Sequence, residues 1–185
     1  MAKRKLTDLQ KLGICHFVGI VIISVYGTQV SEMMEMFTTN PIGKLFLPIN
    51  RSIWEESKML VVPLSIMFAV EYFIVGKNFK NFIPAHTIIA FTLPIVMILF
   101  NFGYGIFFGN LSMQGAQAVY FLTLVLAALL ASILFVTSDK DMTKYFMPFI
   151  ILYVILCISY IVFSFIPPKI SIFYDVINEV FGPVY

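Results

Sequence analysis

Apolar residues run almost without interruption through five stretches of this chain, about 12–34, 53–75, 82–108, 113–136 and 143–166, with polar breaks between them. A helix needs about 20 such residues to cross the hydrocarbon of a bilayer, so each stretch is long enough. In that solvent an exposed strand or loop would leave backbone N–H and C=O groups unpaired, so every stretch is predicted helical. The pattern predicts an all-α fold: one polytopic membrane helix bundle over residues 1–185 with about five transmembrane helices. Beyond Pro167 and Pro168, the residues Phe173, Val176, Ile177, Val180 and Phe181 recur at helical spacing, with Asp175, Asn178 and Glu179 between them. That spacing predicts a short C-terminal amphipathic helix at about 170–182, lying on the membrane surface or capping the bundle.

Local signals fit these elements. Ser52 and Glu55 have the S-x-x-E spacing of a capping box at the start of the second span. Pro63 and Pro94 fall inside the second and third spans, where each frees a carbonyl four residues earlier. Gly105 and Gly109 form a G-x-x-x-G that permits close helix contact. No internal repeat is visible, and five spans do not divide into the inverted halves that mark many transporters.

Composition narrows the class further. Charged residues make up 12% of the chain, against about 25% in soluble domains. The net charge of +2 is too small to imply a nucleic acid partner. The predicted partner is the lipid bilayer, with self-association or a larger membrane complex as further options. Lysine and arginine set the orientation. Lys3, Arg4, Lys5, Lys11, Lys77, Lys80, Lys140 and Lys144 fall on one side; Lys44, Arg51, Lys58 and Lys169 fall on the other. The richer side is read as cytoplasmic, which puts the N-terminus inside and the C-terminus outside. Cys15 and Cys157 lie within apolar stretches, where a thiol behaves as a small hydrophobe and no disulfide is expected.

Two polar clusters stand out. The inner one is His16, Glu71 and His86. Counting from the flanking Lys11, Lys77 and Lys80 at 1.5 Å per residue, all three sit roughly 7–9 Å into the membrane from one side. Ionisable groups at that depth are functional candidates. Two imidazoles and a carboxylate suit a metal ion or a proton relay; the plainer alternative is hydration from the interface and pairing of Glu71 with Lys77. The outer cluster is Asn50, Trp54, Glu55 and Lys58 at the start of the second span. Glu55 and Lys58 are three residues apart and share a helix face. Trp54 also suits an interfacial anchor. Glu32, Glu35, Tyr104, Asn110, Gln114 and Gln117 lie at similar outer depth and would complete a polar vestibule, with Asn101, deeper in the third span, as its floor.

The run Pro48-Ile49-Asn50-Arg51-Ser52-Ile53-Trp54-Glu55-Glu56-Ser57-Lys58 resembles a P-V-N-x-S-x-W-E-H-x-K signature. That signature belongs to an uncharacterised family of small integral membrane proteins, found mainly in Gram-positive bacteria of the clostridial type. Tyr104-Gly105-Ile106 with Gly109-Asn110, and Pro167-Pro168 followed by Phe173-Tyr174-Asp175 and Gly182, are similar to other parts of the same pattern. The chain departs from it at Glu56, where the family has histidine, and at Val176, where it has proline. The resemblance implies a bacterial cell membrane protein and points to Asn50, Trp54, Glu55, Lys58, Tyr104, Asn110 and Asp175 as site positions. The expected function is binding or permeation of a small polar solute, ion or lipid headgroup through an externally open pocket. An intramembrane enzyme acting on a lipid-like substrate is the second reading, and a non-catalytic scaffold or accessory subunit the third. Neither H-E-x-x-H nor G-x-S-x-G occurs, which ranks the enzyme lower, and no cofactor is implied.

Overall fold

The computed structural model describes the backbone of residues 7–37, 41–108 and 113–183, and the side chains of 7–26, 43–100 and 125–183. Long helices occupy the five apolar stretches: α1 (Asp8–Phe37), α3 (Ile53–Ile74), α4 (Phe82–Phe108), α5 (Met113–Val136) and α6 (Phe146–Phe165). A short α2 (Pro41–Phe46) lies between α1 and α3. Among the described residues, four helices are long and apolar enough to cross a membrane, within α1, α3, α4 and the 143–165 segment ending α6. Their outward faces are themselves apolar: Phe73 on α3 is 72% exposed and Leu99 on α4 64%. In water such a surface would be a large unprotected patch; around a membrane-embedded helical bundle it is the lipid contact.

Helices α3 and α4 form the centre of the bundle. Helix α3 packs on α1 and α4, and α4 in turn packs on α5 and α6. The main core joins Ile23, Leu60, Leu64, Phe68, Ile89, Leu93 and Leu129. Gly19 lets α1 approach α3, since a Cβ there would run into the Met67 sulfur. A second cluster, of Leu12, Val75, Phe82, Ala85 and Val136, closes the end of the bundle where α3 turns into α4.

The cap of α3 takes half of the predicted box. Ser52 Oγ accepts from the Glu55 N–H at 3.3 Å. Glu55 does not reach back to Ser52, whose N–H goes to Asn50 Oδ1 at 2.8 Å instead.

The predicted C-terminal amphipathic helix is a turn and hairpin. Residues Ser171–Phe173 form a 3-10 turn, then β1 (Tyr174–Asp175) pairs antiparallel with β2 (Val180–Phe181). The cause is local competition for the backbone. Asp175 Oδ1 accepts from the N–H groups of Ile177 at 2.9 Å and Asn178 at 3.1 Å, which folds a turn where a helix would have continued. Glu179 (φ 56°) and Gly182 (φ 85°) then take left-handed conformations that break any helical run.

Candidate functional site

Three helices deliver the inner cluster to one point. His16 comes from α1, Glu71 from α3 and His86 from α4. All are buried, at 3%, 1% and 4% exposure. The tight α3–α4 turn, begun by Val75 and the 3-10 turn Gly76–Asn78, sets Glu71 and His86 facing each other from opposite sides of the turn. The His16 and His86 Nε2 atoms approach the same oxygen, Glu71 Oε2, at 3.3 and 3.5 Å. One ligand atom from each residue falls within 4.8 Å of the others.

These are ion-pair distances, at the long edge of hydrogen bonding. Both Glu71 oxygens, His86 Nε2 and His16 Nδ1 are buried with no hydrogen-bond partner among the described residues. A buried carboxylate in that condition costs several kcal/mol. The other ring nitrogen of His86 is committed: Nδ1 lies 2.7 Å from the Phe82 carbonyl, which only accepts, so Nδ1 carries the proton. In the neutral ring, Nε2 then presents its lone pair to the cluster. Phe68 and Phe82 hold the imidazole between them, each with its centroid 3.9 Å away. A fourth group, invisible in the sequence reading, is Ser132 on α5. It is fully buried, its Oγ bonds the Leu129 carbonyl at 2.8 Å, and the same oxygen stands 3.1 Å from His16 Nε2.

The outer cluster is also assembled, and it is filled with its own side chains. Lys58 Nζ, 0% exposed, meets Glu55 Oε2 at 2.7 Å, Ser164 Oγ, and the Lys44 carbonyl at 3.3 Å. All three ammonium protons are thereby used. Glu55 Oε1 accepts from Ser164 Oγ at 2.8 Å, and Oε2 also accepts from the Ile49 N–H at 3.1 Å. Trp54 stacks on Tyr160 with centroids 4.6 Å apart and is flanked by Phe163 and Phe173. Asn50 Nδ2 donates to the Gly182 carbonyl at 2.7 Å, and Asp175 Oδ2 accepts from the Arg51 N–H at 2.8 Å. The hairpin is thus strapped across the start of α3. Burial acts to raise the Asp175 carboxyl, but the donors of Arg51, Asn178 and Ile177 outweigh it and hold the group below the ordinary aspartate value. Asn110, and the side chains of Tyr104, Glu32, Glu35, Asn101, Gln114 and Gln117, lie outside the described residues.

Sequence reasoning missed Ser164, Tyr160 and Asn81 as well as Ser132. Asn81 is fully buried at the inner end of the bundle. Its Nδ2 donates to the Ser138 and Lys140 carbonyls at 3.1 and 2.7 Å, and its Oδ1 accepts from the Met142 N–H at 3.0 Å, fixing the α5–α6 loop.

A cavity of about 240 Å³ lies between α3, α4 and α6, and His86 forms part of its wall. None of the outer cluster lines it.

A family model described as "Family of unknown function (DUF6512)" matches residues 1–183, and the chain belongs to that family. No curated protein and no solved structure matches it.

Proposed function

We propose, for this member of a family of unknown function, that the protein binds a divalent transition-metal ion within the bilayer, between His16, Glu71 and His86. The carrying observation is the spacing of the ligand atoms. Metal bonds of about 2.0–2.1 Å in tetrahedral array put ligand atoms about 3.3–3.4 Å apart. The Nε2–Oε2 separations are 3.3 and 3.5 Å, and the three ligand atoms all lie within 4.8 Å of one another, so the two imidazoles would close in slightly on an ion. A proton relay would favour hydrogen bonds between these same atoms. Instead both Glu71 oxygens and His86 Nε2 are left unpartnered, which favours an ion beside them, while His16 Nε2 is held by Ser132 Oγ.

The surroundings support the same reading. The bond from His86 Nδ1 to the Phe82 carbonyl is the outer-shell contact that orients metal-bound imidazoles. Ser132 donates to the Leu129 carbonyl, so its oxygen accepts from His16 Nε2–H, and an ion taking His16 as a ligand would displace that proton. Two histidines and one glutamate leave at least one coordination position open, the arrangement of catalytic rather than purely structural sites. The sequence assigns binding to an externally open pocket at the outer cluster; the ion reading rests on the inner cluster instead. The outer cluster, including Asn50, Glu55, Lys58 and Asp175, serves to fasten the hairpin and α6 to α3. With the lysine-rich side taken as cytoplasmic, the N-terminus is inside, the C-terminus is outside, and the ion lies toward the cytoplasmic face of a bacterial cell membrane.

Elemental analysis tests this. Detergent-purified protein is stripped with a chelator, exposed to Zn²⁺ and desalted. The expected result is one zinc per chain in the wild type and a large loss in Glu71→Ala and His86→Ala variants whose helical content is intact. Wild-type protein that retains no zinc overturns the reading.

A further inference from the structure

The open position and the neighbouring cavity together define what the ion would hold. This step rests on the metal reading above. A divalent ion beside one carboxylate leaves a net charge of about +1, and no second carboxylate reaches the cluster among the described residues. A net charge sheltered from water is costly. The open coordination position therefore favours an anionic oxygen ligand.

His86 belongs both to the ion cluster and to the wall of the cavity, and the two rings that clasp it, Phe68 and Phe82, line the cavity as well. Toward the lipid the cavity is bordered by Phe73 and Val154, 72% and 49% exposed on the outer face of the bundle. The cavity is thus continuous with the hydrocarbon contact surface. Four hydroxyl residues line it, Ser65, Tyr72, Thr87 and Tyr153; Ser65 Oγ donates to the Val61 carbonyl at 2.6 Å, and Thr87 Oγ1 points at the Phe149 carbonyl, 3.5 Å away. The rest of the wall is apolar, with His86 as its one imidazole. At about 240 Å³ it falls below the roughly 300 Å³ at which sites for drug-sized ligands begin, so it suits one linear chain better than a pair.

We infer that the site takes a single-chain amphiphile with an anionic oxygen head, of the fatty-acid carboxylate class. Its chain fills the cavity between α3, α4 and α6, and its head passes His86 to the ion. Apolar chain and charged head would each find a match: a dry slot opening in hydrocarbon, and the undercompensated cation that the metal reading puts beside His86. A bound hydroxide alone would satisfy the charge and leave the slot without a role.

Cobalt-loaded protein in nanodiscs of neutral phosphatidylcholine provides the test, because the visible bands of Co²⁺ report its ligands. Dodecanoate is expected to shift the bands, whereas dodecanol, with the same chain and no charge, leaves them unchanged. Ala69→Phe fills the cavity from α3; it should keep the cobalt stoichiometry and require at least tenfold more dodecanoate. Val154→Trp fills it from α6 and serves if the first variant does not fold. Bands indifferent to dodecanoate, an equal shift with dodecanol, or an unchanged dodecanoate titration in the filled variants overturns the amphiphile and leaves the metal site standing. Wild-type protein that takes up no cobalt overturns both.

Discussion

Lys58 and Glu55, one turn apart on α3, form a 2.7 Å ion pair with 0% and 2% of their side chains exposed. The sequence reading offered these two charges to a solute; in the fold they answer each other. Their remaining hydrogen-bond capacity is met by Ser164, the Lys44 carbonyl and the Ile49 N–H. Such a pair adds little net stability over apolar residues of the same volume, but removing one partner strands the other.

Lys58→Met or Glu55→Leu alone should therefore destabilise the protein by about 3–5 kcal/mol. The double variant should recover much of that loss, because no uncompensated charge remains. Thermal unfolding in detergent for the four members of the cycle measures the coupling. Additive losses would show that the pair acts through something other than its mutual charge.

The strap formed by the hairpin carries its own pH dependence. Asp175 is held below its ordinary value by donors that burial only partly offsets. A depressed carboxyl contributes stability above the unfolded value, about 3.9, and loses it as pH falls through the lower folded value. The hairpin should stay docked at pH 5 and release only below the ordinary aspartate range. Hydrogen exchange at the Arg51 amide reads the release directly. Asp175→Ala should leave four donor contacts unmet and expose residues 174–182 to protease at neutral pH.

Much of this architecture was legible because membrane helices declare themselves by length and by the absence of charge. The starts at Ile53, Phe82 and Met113 coincide with the ends of polar breaks. The hairpin was not legible: apolar residues at Phe173, Val176, Ile177, Val180 and Phe181 fit a helical stripe, and only the bonds of Asp175 to its own backbone decide for a turn. The inner cluster was legible as a matter of depth, since counting residues from flanking lysines fixes height in a helix. Its fourth member was not, because Ser132 sits in an apolar run with no spacing to mark it. The closure of the outer cluster was equally hidden. It depends on Ser164 and Tyr160, more than a hundred residues from the helix start they seal.

Asn81 should matter more than its unremarkable type suggests. It makes three bonds to the backbone of the α5–α6 loop while fully buried. At about 0.5–1.5 kcal/mol net for each bond, Asn81→Ala should cost roughly 2–3 kcal/mol. The loss should appear as faster hydrogen exchange across 138–142, with little change at the outer end of α3. Asn81→Asp should restore the contact to Met142 and not those to the two carbonyls.

The sharpest expectation concerns Glu71, because the sign of its effect should reverse with metal. Without an ion, its carboxylate is 1% exposed and makes no hydrogen bond among the described residues. Replacing it with the uncharged isostere removes that burden, so in chelator Glu71→Gln should unfold at a higher temperature than the wild type. With Zn²⁺ present the wild type gains RT ln(1 + [L]/Kd), about 2.7 kcal/mol at a hundredfold excess over Kd. The variant, lacking the anionic ligand, should gain far less, and the order of stability should invert. Ser132→Ala should fall between them, keeping the zinc response with an affinity about 10–100-fold weaker if its hydroxyl orients or joins the ligands. Melting curves of the three proteins, each with chelator and with a zinc series, decide the matter. A Glu71→Gln variant less stable than the wild type in chelator would mean that the carboxylate is already paired, and that the close approaches of His16 and His86 are ordinary ion pairs.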